Sequence, residues 1–245
     1  MKKPGKKVKR IHWQWMPISL STCLIMLVAD GCLKAISDRG AHWFVDLRLW
    51  IYFGSGCLAS ALSLLLLYRI SRHRWLPGLT QQFLFLHRFN HELAHAIAAL
   101  ATGCGISSFS ATSHGGAVQV GRITQRSFIV AIAPYIVSIP SLALILIELV
   151  SPAVSPIFWF VFGAAYLYQV LSTVASMSPG QSDFRQIHYS VCVAWIISML
   201  ILTSGLIASL VAGGRQEAMG LSIETAQQSA HIVHSGFASL PHLFH

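Results

Sequence analysis

His91-Glu92-Leu93-Ala94-His95 has the residue types and the spacing of a hydrolytic metal site. On a helix, residues four apart share a face, so His91 and His95 point the same way. Two imidazoles so placed can hold one Zn²⁺, and Glu92 can then act as general base on water at the metal. The motif lies inside an apolar run from Gln81 to Gly103. A charged side chain in the middle of a membrane segment costs ~2.5–3.5 kcal/mol on insertion scales, so it is rarely there without a task. The competing explanation is that these polar residues join helices by hydrogen bonds.

A catalytic zinc usually takes three protein ligands and leaves a position for water. His87 shares the helical row of the two histidines but lies about 12 Å of rise from His95, at ~1.5 Å per residue, too far for both to bind one ion. The chain has only 8 acidic residues. Asp30 and Glu148 fall in other apolar segments, Asp38 and Asp46 in a loop, and Glu217 and Glu224 near the C-terminus. Asp183 stands out, in Ser178-Pro179-Gly180-Gln181-Ser182-Asp183-Phe184. The Pro-Gly break follows the fifth apolar segment and can turn the chain back toward the histidines. The same position also suits a loop acid or a cap of the last helix.

These residues need a scaffold, and composition says which kind. The 245 residues are 54% hydrophobic and 10% charged, against about 25% charged in a soluble domain. The chain therefore reads as an all-α, multi-pass bundle in the lipid bilayer, with about six transmembrane helices. The expected segments are 16–36, 50–69, 82–102, 127–150, 154–177 and 189–211, each near the ~20 residues a bilayer requires. Residues 1–15 read as a basic cytoplasmic tail, 16–211 as the membrane domain and 212–245 as a flexible tail with four histidines, His231, His234, His242 and His245. The net charge of +9 does not point to nucleic acid, because Lys2, Lys3, Lys6, Lys7, Lys9 and Arg10 flank an apolar run as a cytoplasmic anchor does. Arg69-Ile70-Ser71-Arg72-His73-Arg74 falls on the same side, so that face is expected to be cytoplasmic; the expected setting is the inner membrane of a bacterium. Cys23, Cys32, Cys57, Cys104 and Cys192 form no C-x-x-C pair and read as small buried apolar residues.

Between the third and fourth segments, Gly115-Gly116-Ala117-Val118-Gln119-Val120-Gly121 sets turn glycines beside a short alternating run. That predicts a small β-hairpin or one extended strand. Such backbone at a bilayer edge must be buried in protein or face a watery cavity.

Three stretches together resemble the M50, or site-2-protease-like, intramembrane zinc metallopeptidases. They are Asn90-His91-Glu92-Leu93-Ala94-His95-Ala96 with the Ala-Leu-Ala-Thr-Gly of residues 99–103, the glycine-rich segment around Gly115-Gly116 with Ala133-Pro134-Tyr135, and Gly180-Gln181-Ser182-Asp183-Phe184. The resemblance implies Zn²⁺ held by His91, His95 and Asp183, with Glu92 activating water. It implies a membrane-protein substrate cut in or beside a membrane segment, and a hairpin that aligns the substrate strand, here Gly115, Gly116, Val118 and Val120. Asp183 departs from the Asn-Pro…Leu-Asp-Gly context of better-known members. The charge pattern also runs the motif helix outward, whereas in the family it usually runs toward the cytoplasm.

Two other functions fit parts of the pattern. A metal-binding or transport protein also places histidines within membrane helices, but it has no evident need for Glu92 between two ligands. A catalytically silent relative would bind membrane proteins without cutting them, and the intact H-E-x-x-H argues against it. The prenyl-protein proteases, another membrane class with this motif, take their third ligand as a glutamate from a later helix. Glu148 is the available residue, and no accompanying motif surrounds it.

Overall fold

The computed structural model describes residues 11–43, 47–73, 77–121, 127–136, 138–151, 155–177, 184 and 189–239. Asp46 and Asp183 lie outside the described residues. The protein is mostly helical, with a small two-stranded sheet. Its helices are α1 (Ile11–Arg39), α2 (Leu47–His73), α3 (Pro77–Ala101), α4 (Ser127–Ile136), α5 (Ile139–Val150), α6 (Pro156–Ser176) and α7 (Tyr189–Ser239). Strands β1 (Ile106–Ala111) and β2 (Gly116–Val120) lie between α3 and α4.

Among the described residues, four helical stretches are long and apolar enough to cross a membrane: Leu20–Arg39, Leu47–Ile70, Pro156–Ser176 and Tyr189–Ser235. The bent pair α4–α5 adds a fifth if it counts as one span. The sequence-based expectation of six differs at two places. The third expected segment is the 25-residue helix α3, which has the length of a span but carries Gln81, Gln82, His87, Arg88, Asn90 and the motif. The fourth is broken, with a 77° bend between α4 and α5.

The break has local causes. Pro140 sits in the first turn of α5, so it has no N–H to give the Ile136 carbonyl and cannot continue α4. Ser138 restarts the helix as the N-cap of α5, its hydroxyl accepting from the Ser141 N–H at 3.2 Å. Carbonyls near the break are not left bare. Gln169 of α6 donates to the Pro134 oxygen at 3.5 Å, and Thr173 donates to the Tyr135 oxygen at 3.1 Å. Irregular backbone at membrane depth persists only when so covered.

Helix α7 folds back on itself. Gly213 and Gly214 leave helical geometry, Gly214 with φ of 64°, a left-handed conformation that glycine adopts without steric cost. Before the fold, Trp195 donates to Thr22 at 2.9 Å and Gly205 lies against Cys32, so this limb runs parallel to α1. After it, Arg39 binds Glu217 and Gly31 lies against Ser229, so the second limb returns antiparallel. Residues from 212 on were expected as a flexible tail; through Ser239 they are this returning helix. Its buried positions Ala218, Leu221, Thr225 and Ser229 fall at three- and four-residue spacing along one face.

Helices α2 and α6 meet through glycines. A Cβ at Gly56 would fall 1.9 Å from the Phe160 oxygen, and one at Gly163 would fall 1.9 Å from the Phe53 oxygen. Backbone touches backbone at this seam, as in membrane helix pairs joined through small residues.

Candidate metal centre

The helix α3 carries the motif, and small neighbours let other elements approach it. Ala94, Ala96 and Ala99 are buried on the same helix. Its end is a Schellman motif: the Gly103 N–H bonds the Leu100 carbonyl and the Cys104 N–H bonds the Ala99 carbonyl, with Gly103 at φ of 71°. Gly105, also at positive φ, then turns the chain into β1.

The two motif histidines stand together as the helical spacing requires. Their ring centroids are 4.9 Å apart and nearly perpendicular. Both are held by α4. The Nδ1 of His95 lies 2.7 Å from the Val130 carbonyl oxygen. A carbonyl oxygen only accepts, so Nδ1 carries the ring proton and the lone pair of the neutral imidazole is on Nε2. Ligating histidines are commonly oriented in this way, through the nitrogen that does not bind the metal. His91 packs edge-to-face on the Tyr135 ring at 5.4 Å, and Tyr135 is 1% exposed, so this wall is fixed.

Glu92 and His95 are buried, at 9% and 8% exposure, while His91 is half-buried. The hairpin covers the glutamate. Strands β1 and β2 pair antiparallel, with Phe109 opposite Val118 and Ala111 opposite Gly116. At Gly116, a Cβ would fall 2.5 Å from Glu92 Cγ and 2.6 Å from Oε1. Only glycine lets the strand pass this close to the carboxylate. The turn before β2 is knit by Thr112, whose hydroxyl accepts from the Gly115 N–H at 3.1 Å, and Arg88 of α3 donates to the Ser113 carbonyl.

Of the hairpin residues picked from the sequence, Gly116 touches the motif and Gly115 is exposed in the turn. Val120 packs on the Ala99, Cys104 and Val130 cluster. Val118 lies opposite Phe109, whose ring meets Phe89 of α3 at 5.9 Å. Alternate residues of a strand share a face, so Gly116, Val118 and Val120 all turn toward α3. What the strand offers outward is its backbone edge. Among the described residues β2 pairs only with β1.

His87 is engaged elsewhere, its Nδ1 2.7 Å from the Tyr168 hydroxyl on α6. The other described acids lie with α1 and α7. Asp30 pairs with Lys34, Asp38 accepts from Gln228, and Glu217 and Glu224 bind Arg39. Glu148 is buried beside Gly214, where the α7 limbs turn. Among the described residues no group of three His, Cys, Asp or Glu side chains is placed to hold a metal. The packing of Tyr135 on His91 was missed in the reading of single residues, as was the Val130 carbonyl. The proline four residues after Val130 was the available signal.

The fold and site define a helical protein of membrane type whose polar centre is built by α3, the hairpin and α4. No protein-family model matches the chain, and neither does any curated protein or solved structure.

Proposed function

We propose that the protein is an intramembrane zinc metallopeptidase of the site-2-protease type, hydrolysing peptide bonds in or next to membrane segments of other proteins. The observation that carries this reading is the His91–His95 pair: the two rings stand 4.9 Å apart, and the Val130 carbonyl holds the His95 ring at Nδ1, so its lone pair is on Nε2. His91, His95 and Asp183 would hold the zinc. Support for Asp183 comes from its neighbour in sequence. The Phe184 ring packs 5.0 Å from Tyr135, and Tyr135 packs 5.4 Å from His91.

A bound Zn²⁺ supplies a Lewis acid that polarises the scissile carbonyl and lowers the pKa of water toward ~7. Glu92 takes a proton from the attacking water as its oxygen bonds to the carbonyl carbon. It then gives that proton to the leaving nitrogen as the C–N bond breaks. Burial under the hairpin keeps bulk water from competing for the carboxylate. Helical carbonyls are hydrogen-bonded and shielded, so a membrane segment must unwind to be cut. The outer edge of β2 can pair with such an extended strand by backbone hydrogen bonds, and Gly116 brings that edge to Glu92.

The test places purified protein in liposomes with a panel of membrane-segment substrates and reads cleavage and Zn²⁺ flux in parallel. Cleavage without flux is the expected result. Flux with no cleavage across the panel would replace the peptidase by a transporter.

A further inference from the structure

We infer that Pro134 is a positioning residue for the metal centre, acting through the one backbone oxygen its own lack of an N–H releases. This rests on the zinc reading above and extends it to a residue that touches neither metal nor substrate. In an α-helix the carbonyl of residue 130 accepts from the N–H of residue 134. Residue 134 is proline, inside α4, and has no N–H to give. The Val130 oxygen is thereby left for another donor, and that donor is His95 Nδ1 at 2.7 Å. The proline ring also pushes against the carbonyl four residues back, which opens the helix where the imidazole enters.

The consequence is chemical. With its proton held on Nδ1 by Val130, His95 turns Nε2 toward the space shared with His91. A residue with an N–H at 134 would compete for the same oxygen. His95 would lose its fixed orientation and sample the opposite tautomer, which has no lone pair on Nε2. The next residue of the same turn, Tyr135, walls His91, so one short segment of α4 sets both rings.

The decisive comparison uses three forms of the full chain: wild type, Pro134→Ala, and a form with the α-hydroxy analogue of alanine at 134. The last joins through an ester, so it lacks the N–H as proline does but lacks the ring as well. Imidazole ¹⁵N shifts of His95 are read in metal-free protein at about pH 9, where an ordinary histidine is neutral. Zinc affinity is measured separately with the metal alone. Wild type should show the Nδ1–H tautomer. Pro134→Ala should show a mixture and bind zinc ~10–100-fold more weakly, the usual cost of losing a ligand's outer partner. The ester form should restore both. An unchanged tautomer in Pro134→Ala would overturn the inference. An ester form that behaves like Pro134→Ala would also overturn it, because the ring rather than the missing N–H would then matter. If the tautomer shifts as expected but no form binds zinc, Pro134 keeps its role over His95 and the zinc reading is what fails.

Discussion

Arg39 on α1 is held by two carboxylates of α7, Glu217 at 2.7 Å and Glu224 at 2.6 Å. His95 on α3 is held by a backbone carbonyl of α4 at 2.7 Å. Both are polar groups in an apolar chain, and the two solutions have different consequences. Around α1 and α7, charge meets opposite charge, and Trp43 adds a further donor to Glu217 at 3.0 Å. That network joins two helices and closes on itself. Around α3 and α4, the His95 ring is fixed at Nδ1 by a main-chain oxygen, so the lone pair of the neutral ring is on Nε2. The first pattern closes a charge network between two helices, and the second sets the tautomer of an imidazole.

The largest expected break in this comparison lies at the histidines. His91→Ala and His95→Ala should each abolish zinc binding, read as metal content of the purified protein, where wild type holds about one ion per chain. Full metal in both variants would move the site elsewhere. Asp183→Ala comes next. It should weaken zinc by more than the ~10–100-fold typical when an outer hydrogen-bond partner is lost, whereas Glu148→Gln should leave affinity unchanged. The reverse pattern would place the third ligand on α5.

Gly116→Val sharpens the role of the hairpin. Its Cβ would collide with Glu92 and displace the carboxylate. A misplacement of about 1 Å can cost ~10²-fold in rate, so cleavage should fall by that order while zinc stays bound. Loss of zinc along with activity would mean that the strand supports the ligands instead. Arg39→Ala is the smallest. It strands two carboxylates in a partly buried setting, at a cost of about 1–3 kcal/mol, between the exposed and the buried cases. Thermal unfolding in detergent should register this, with zinc content unaltered. A change in zinc would couple the two regions.

The centre of the site was legible because its geometry is local. Four-residue spacing is enough to bring His91 and His95 together, and the alternation from Gly116 to Val120 announces a strand. Its partner β1, Ile106-Ser107-Ser108-Phe109-Ser110-Ala111, has too many serines to read as one and pairs through β2 and packing on α3. The fold of α7 was hidden for a related reason. Glu217, Glu224 and Gln228 make residues beyond Ala212 look like a solvated tail, because their partners Arg39 and Asp38 lie about 180 residues or more away. The support of His95 is a main-chain oxygen, invisible in side-chain chemistry except through the proline that frees it. Asp183 rests on its sequence context and on the packing of Phe184.

The most direct measurement is the rate of cleavage of a membrane segment in liposomes by wild type and by Glu92→Gln, each with its zinc content determined. Glutamine keeps the shape of the side chain and removes the basic oxygen. The expected result is full zinc in both forms and a rate ~10²–10⁴-fold lower in Glu92→Gln, the usual worth of a general base. Equal cleavage by the two forms at equal zinc content would contradict the assignment of Glu92 and with it the peptidase mechanism.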